Sequence, residues 1–518
     1  MFVLCLAWLL PGLIGHAPWK GVDASNFIRF LALWQHGEWL MPGLAKEAYP
    51  PLYFWTAAVT AWLSSPFMAL HDGARLASGV FIALAWFFIA RAAQALYGED
   101  HRWAAVLAVL GSVGLLLRGH EMSPYTAQMA GVAMVLDGLA RLPKDPRGGW
   151  TLAAGLTVML LATGLIEPLA LAVLAAVLPL LIPAYRSAAA KRGLGLGLFA
   201  AVVIGLAWWA LLWSRHESLI AAFQLQRWPP WANAAAAAKF YYVLGVLPWY
   251  LWPTWPLAAW AVYRARRVWR EPATLMPLAV LLVLFAVYSA SISFGEDKLL
   301  ALTVPAALLA SAGVMTLRRG AAYAFLWFGV MLFGFLGIVF WVYWIAHDLG
   351  LPARLARRLV KLGVEDVGEF RWVPLVLGVV VSMVWLVFTA RLARTPIRPL
   401  LVWSAGMTFV WVLMLTLFLD VFDARLSYAR VGEILKRQVS GAPTCVNTRG
   451  MGDQPRSLIA YHSGLDLRAL PVTECNWLLV LRKRGEPAPE LASHWVVAKK
   501  FARPGDRQYF FLLYARRD

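Results

Sequence analysis

From its first residues to about residue 420, the chain returns repeatedly to apolar runs close to 20 residues long, and then stops doing so. About 20 such residues are needed to cross a bilayer. Inside hydrocarbon every backbone N–H and C=O needs a partner within the protein, so continuous apolar runs of this length have to be helices. The runs fall at about 2–15, 74–97, 103–118, 124–141, 150–166, 168–184, 194–213, 246–263, 273–292, 299–317, 321–346, 372–390 and 400–420, roughly 13 spans. The chain is 61% hydrophobic and 14% charged, with 28 Trp. A soluble domain lies nearer half apolar and a quarter charged. The first run lacks a basic leader, and Gly15-His16-Ala17-Pro18 is a poor cleavage site, so it reads as a span rather than a signal peptide.

The formal charge is +19. No nucleic-acid motif accompanies it, so no nucleic-acid partner is expected. The connections that are cytoplasmic when the chain starts inside carry the positive charge: Arg91 and Arg102; Arg141, Lys144 and Arg147; Arg186, Lys191 and Arg192; Arg264 to Arg270; Arg318 and Arg319; Arg391 to Arg398. That is the bias of cytoplasmic loops, and it suits contact with anionic lipid. One outer stretch breaks the pattern. Arg354, Arg357, Arg358 and Lys361 read as a basic amphipathic helix on the outer interface. An odd number of spans places residues 421–518 outside the cytoplasm.

Two domains are therefore expected: a transmembrane domain over residues 1–420 and a soluble tail over residues 421–518. In the tail, 477–481, 495–498 and 509–514 look like strands and 425–439 like a helix, giving a small α/β domain. Cys445 and Cys475 lie there; in an exported domain they pair, or they stay two free thiols. The long outer loop 16–73 holds two interfacial helices, 24–37 and 52–64, the second opened by Pro50-Pro51. No internal repeat argues for an inverted-repeat transporter.

Three short motifs in that loop read Gly21-Val22-Asp23-Ala24-Ser25, Gly37-Glu38-Trp39 and Tyr49-Pro50-Pro51-Leu52-Tyr53-Phe54-Trp55. They resemble the Pro-Asp-Glu-x-Arg, Gly-Asp-Trp and Lys-Pro-Pro-Leu-x-Tyr-Trp of GT-C glycosyltransferases, in the bacterial branch of protein mannosyltransferases and the lipid A aminoarabinose transferase. Asp23 falls on the second acid of that pattern, Val22 replaces the first, and Tyr49 replaces the lysine. Glu296-Asp297-Lys298-Leu-Leu-Ala-Leu-Thr-Val-Pro305 is similar to the family's opening of a late span. Thr163-Gly164-Leu165-Ile166-Glu167-Pro168 stands where the family has a Thr-Lys-Gly-Pro turn.

The resemblance implies an inverting transferase of the bacterial inner membrane, multi-pass, with a periplasmic tail. It would move a sugar from a polyprenyl-phosphate donor to an envelope acceptor: a glycolipid, lipid A, a glycan or a protein. Such a reaction needs a base for the acceptor's proton and positive charge for the leaving phosphate. Asp23 is the candidate base; alternatively it is only the N-cap of the helix beginning at Ala24. Glu121, beside His120 and after Arg118, is a second acid, or it pins a helix end by pairing with Arg118. Lys46, Tyr49, Arg227, Lys298 and His120 are the substrate and phosphate contacts, with Lys298 read otherwise as an interfacial anchor. Glu121 and Glu167, with His16, His216 or His347, could hold a divalent metal; no cofactor is otherwise indicated. There is no Walker loop, dinucleotide fingerprint or Gly-x-Ser-x-Gly elbow. Two rival readings remain: a non-catalytic scaffold of an envelope complex, and a lipid-linked sugar flippase, which would need charged residues inside its spans. Asp137 is the main one present.

Overall fold

The computed structural model describes residues 1–42, 49–215, 235–290, 295–362, 364, 367–439, 445–469, 475–487 and 494–516. Helices dominate. Among the described residues seven are long and apolar enough to cross a membrane: Leu70–Tyr97, Ala188–Arg215, Pro272–Ala290, Glu296–Met315, Arg319–Asp348, Trp372–Arg391 and Arg398–Leu426. Gly148–Thr163 and Ile166–Leu181 are apolar but shorter.

Several expected spans are interrupted. The run 2–15 is helical only over Phe2–Leu9. It ends at Pro11-Gly12, where Gly12 has φ +90° and a Cβ would meet the Trp411 ring at 2.5 Å. The run 103–118 is two helices, Arg102–Leu110 and Val113–Arg118, and 246–263 divides into the end of Ala235–Tyr250 and Thr254–Arg264. A broken helix strands polar backbone groups that lipid cannot satisfy. These two breaks satisfy each other. The Val113 N–H donates to the Trp252 carbonyl at 3.1 Å, and Thr254 Oγ1 donates to the Ala108 carbonyl at 2.8 Å while lying 2.7 Å from Ser112 Oγ. Hydropathy sees only the apolar residues on either side, so it joins what the backbone divides.

The chain packs as two units. One comprises Met1–Ile14, Arg29–Leu336 and Val381–Val412; the other Gly15–Ile28, Gly337–Val380 and Leu413–Asp518. At the centre of the first unit lies Pro124–Arg141, almost wholly buried. It meets Gly148–Thr163 through small residues. A Cβ on Gly131 would stand 2.9 Å from the Gly155 carbonyl, and one on Gly138 2.6 Å from the Leu152 nitrogen. Such close approach is what glycine permits between membrane helices.

The second unit carries a five-stranded sheet: β1 (Cys445–Arg449), β2 (Asp466–Ala469), β3 (Trp477–Lys483), β4 (Trp495–Phe501) and β5 (Tyr509–Arg516). The order is β2-β1-β3-β5-β4; β1 runs parallel to β2 and β3, and β5 antiparallel to β3 and β4. Helix Asp453–Ser463 makes the β1–β2 crossover. Val446, Leu479, Phe511 and Leu513 of one sheet face pack with Val431, Leu435 and Ile459 of the helices. Three of these strands match the sequence expectation; β1 and β2 are additional. The helix expected over 425–439 is divided, because Arg398–Leu426 runs on through Arg425 and a separate helix, Ala429–Gln438, follows Ser427. Cys445 and Cys475 form a disulfide, Cα to Cα 5.4 Å. The basic helix occupies Ala353–Lys361.

Candidate functional site

In the first unit, charged side chains gather where helices turn. Arg118 ends Val113–Arg118, and its Nη1 donates to both oxygens of Glu121 at 2.9 and 3.1 Å. Its Nη2 reaches across 178 residues to Glu296 Oε2 at 2.9 Å. Glu296, Asp297 and Lys298 form one turn of 3-10 helix that opens the buried helix Leu300–Met315. Tyr242 donates to Glu296 Oε1 at 3.4 Å. Asp297 is buried and accepts from Ser123 Oγ at 3.3 Å. Ser123 in turn caps Pro124–Arg141, accepting the Tyr125 N–H at 3.3 Å. Lys298 is 9% exposed. Removing charges from water costs several kcal/mol each unless they are paired or hydrogen-bonded. The turn buries two of them, Asp297 and Lys298, which are opposite in sign and adjacent, while Glu296 stays partly exposed on Arg118.

Tyr250 closes over this group. Its hydroxyl lies in the field of Asp297, Arg118, Glu121 and Glu296, and is buried without a hydrogen-bond partner among the described residues. The Glu121 backbone is fixed as well: its carbonyl accepts from Ser78 Oγ at 2.7 Å, and Ser78 Oγ lies 2.7 Å from the Tyr53 hydroxyl. His120 does something different from its neighbour. Its ring lies between Trp8 and Trp411, with centroids 4.4 and 4.6 Å away, and its nitrogens face the Leu116 and Trp8 carbonyls at 2.6 and 2.8 Å. Burial pulls it down to about 4, against the pull of those two carbonyls, so it is neutral at pH 7.

Glu167 stands half-buried in the first turn of Ile166–Leu181, close enough to Tyr288 to act on it electrostatically. Tyr49 lies under Arg29, whose guanidinium carbon is 4.6 Å from the ring centroid, a cation–π geometry. Lys46, Arg227 and His216 fall outside the described residues. Among the described residues no three His, Cys, Asp or Glu side chains come together as a metal site. Asp137, the acid inside an expected span, lies 3.1 Å from Arg141 and 3.5 Å from Arg91.

Asp23 belongs to the second unit. The helix begins at Val22, two residues earlier than expected, so Asp23 sits inside the first turn rather than at the N-cap. It is 1% exposed, and its Oδ2 accepts the Trp19 N–H at 3.0 Å. Its charge also faces the positive end of the helix dipole. Asp423 holds the same loop from another side. Its Oδ1 accepts from the Ala17 N–H at 3.0 Å and the Trp19 indole at 3.1 Å, while His16 stacks on Trp19. Gln454, on the sheet's crossover helix, donates to the Gly21 carbonyl and to Ser25 Oγ, both at 3.0 Å. His347 is bound to Asp348 at 2.6 Å, and Arg371 joins Asp348 to Asp420. Sequence reasoning gave no role to Glu296, Asp423, Asp348 or Arg371. Each takes its meaning from a partner between 23 and more than 400 residues away, for which spacing gives no signal.

Long apolar helices with acids and bases at the turns between them, and a small sheet after the last of them, make up a fold shared with solved structures of ArnT. The crystal structure of ArnT from Cupriavidus metallidurans bound to undecaprenyl phosphate aligns over 99% of this chain and 96% of its own, with a TM-score of 0.70 and 15% identity. ArnT in the apo state aligns over the same shares with a TM-score of 0.67, again at 15% identity. At that identity the likeness is one of fold. No family model and no curated protein sequence matches the chain.

Proposed function

We propose that this protein is an inverting glycosyltransferase. It takes a sugar from a polyprenyl-phosphate donor and gives it to an envelope acceptor at the outer face of a bacterial inner membrane. The observation that carries the reading is the linked group Arg118, Glu121 and Glu296, with buried Asp297 and Lys298 in the same turn. The reaction asks for a carboxylate and for cations within one wet pocket, and the group holds both. Lys298, with Lys46 and Arg227, takes the donor phosphate, and Tyr49 and His120 shape the substrate's surroundings. An arriving phosphate competes with Glu121 and Glu296 for Arg118, since Arg offers a fork suited to either anion.

In the transfer, the acceptor oxygen bonds to the anomeric carbon as the bond to phosphate breaks. The acceptor's proton goes to a carboxylate, Asp23 or Glu121, and the polyprenyl phosphate leaves with the bonding electrons. Glu167 with Glu121 is the pair to which a divalent ion would be drawn. This reading keeps an odd number of crossings with basic inner loops and a periplasmic tail, and a disulfide suits that oxidising compartment. The division into a transmembrane domain over residues 1–420 and a tail over residues 421–518 belongs to the same proposal.

One observation favours the scaffold reading: the Asp23 carboxylate is engaged by the Trp19 amide, as a structural acid would be. The flippase reading asks for charged residues inside the spans, and the main one present, Asp137, is held by Arg141 and Arg91. Binding of polyprenyl phosphate to the purified full-length chain tests the proposal. The parent should bind it, and Lys298→Ala should bind about tenfold more weakly, the loss expected for one charge-assisted hydrogen bond. A parent that binds no polyprenyl phosphate would overturn the reading.

A further inference from the structure

The second unit contains a cavity of 550 Å³ whose charged residues the proposed sugar transfer does not use. Its wall is made by four segments distant in sequence: Lys20, Leu362, the end of Arg398–Leu426 with Arg425, and residues 503–509 from the β4–β5 turn into β5. Four cations line it, Lys20, Arg425, Arg503 and Arg507, against one acid, Asp506.

That acid is already committed to its own turn. Its Oδ1 accepts the Gln508 and Tyr509 N–H groups at 3.1 and 3.0 Å, and its Oδ2 lies 2.9 Å from Arg503. Burial pushes the Asp506 carboxyl up, but those two amides and Arg503 outweigh it and hold it below the usual carboxylate range. The arginines are fixed rather than free to swing away. Arg425 donates to the Leu362 carbonyl at 3.0 Å, and its guanidinium lies flat on Gly505, where a Cβ would stand 2.6 Å from Nε. That fit and its φ of +72° both call for glycine at 505. Arg507 donates to the Lys361 carbonyl. Lys20 is anchored by its backbone N–H to the Leu426 carbonyl at 2.7 Å, while its side chain stays exposed. Its ammonium is drawn below the ordinary lysine range, first by desolvation and then by Arg503 and Arg425, against the opposing pull of Asp506. Like charges are thus held together at a cost that a bound anion would offset.

The cavity also has a defined setting. Arg425 and Leu426 end a helix apolar enough to span a membrane, and Leu362 directly follows the basic amphipathic helix Ala353–Lys361. Helices of that kind lie at headgroup depth. We propose that this cavity is a phosphate-binding site, formed by Lys20, Arg425 and Arg507 beside Arg503, that takes the headgroup phosphate of an anionic lipid. Lysine supplies a compact point charge and arginine a fork, the pairing that phosphate oxygens favour. The proposal rests on the second unit alone and stands apart from the sugar-transfer reading.

The test uses the full-length chain in neutral detergent, titrated with phosphatidylglycerol, with phosphatidylcholine and with inorganic phosphate, and read by native mass spectrometry and thermal unfolding. Phosphatidylglycerol should bind and raise the unfolding temperature where phosphatidylcholine does not. A basic residue near an anionic surface is worth about 1 kcal/mol, or about fivefold in affinity. Lys20→Gln should therefore weaken binding about fivefold and Lys20→Gln with Arg507→Gln about 25-fold, while Lys20→Arg should keep it. Should the double variant misfold, Lys20→Gln against Lys20→Arg carries the test, since neither disturbs the backbone bond to Leu426. Equal stabilisation by inorganic phosphate would assign the site to soluble phosphate rather than lipid. A Lys20→Gln variant that keeps the parent's affinity, or a parent that does not distinguish phosphatidylglycerol from phosphatidylcholine, would overturn the proposal.

Discussion

The two acids that the sequence brings forward, Asp23 and Glu121, are held in opposite ways. Asp23, in the second unit, is buried and takes a backbone N–H from its own loop. Glu121, in the first, has a partly exposed side chain and shares Arg118 with Glu296. An acid held by backbone keeps its place while the fold lasts. An acid held by an arginine can be released when another anion takes that arginine. The surrounding charge differs too. Around Arg118 three acids, Glu121, Glu296 and Asp297, meet two cations, Arg118 and Lys298. In the second unit four cations face a single committed acid. One region suits proton transfer beside a phosphate, and the other suits a phosphate that stays.

This contrast can be broken experimentally, and the sharpest attempt is on Asp23. Asn keeps an oxygen that can accept the Trp19 N–H but is no base. With Asp23 as the base, Asp23→Asn lowers transfer by about 10²–10⁴-fold, the worth of a general base, with an unfolding temperature close to the parent's. Unchanged transfer would make Asp23 purely structural and leave Glu121 as the base. Arg118→Ala should abolish transfer and also destabilise the fold by about 2–3 kcal/mol, less than for a fully buried pair because Arg118 is partly exposed. Denaturation of the purified variant checks the loss of stability. In the tail, Cys475→Ser opens a covalent link over 30 residues of separation. It should cost the sheet about 3–4 kcal/mol and leave polyprenyl-phosphate binding unchanged, if the tail is not part of the donor site.

The pH response separates the two units again. His120, in the first unit, has a folded value of about 4, set by burial against the Trp8 and Leu116 carbonyls, and His462, in the second, is brought by burial to about 4 as well. Unfolded histidine titrates near 6.5. Between those values the unfolded chain binds more protons, so stability falls as pH drops from about 6.5 to 4, by about 3 kcal/mol for each. Unfolding temperatures of His120→Asn and His462→Asn across that window should each show a flatter fall than the parent. The smallest effect expected is on Lys298→Ala, about tenfold in the KM for donor with little change in kcat. A fall confined to kcat would move Lys298 from binding to chemistry.

Much of the helix pattern was legible because it follows from apolar length alone. Leu52–Ser64 matches its expected bounds, Leu70–Tyr97 lies within a few residues of its own, and Ala353–Lys361 contains the four basic residues read as a helix. The breaks at Gly111-Ser112 and at Trp252-Pro253 were not legible. Each is tolerated through hydrogen bonds to the other, more than 140 residues away. Likewise the Arg118–Glu121 pair is written in its spacing, three apart, while Glu296 joins it only when the fold closes. Strands β1 and β2 were missed because Cys445–Arg449 and Asp466–Ala469 mix polar with apolar residues, and parallel pairing supplies what the local pattern lacks.

The most direct test of the central claim is transfer of radiolabelled sugar from polyprenyl phosphate in membranes containing the parent protein, beside membranes containing Arg118→Ala at equal abundance. The account predicts label in an envelope acceptor with the parent and none above background with the variant. Equal labelling in both, or no labelling by the parent from any polyprenyl-phosphate sugar supplied, would contradict it.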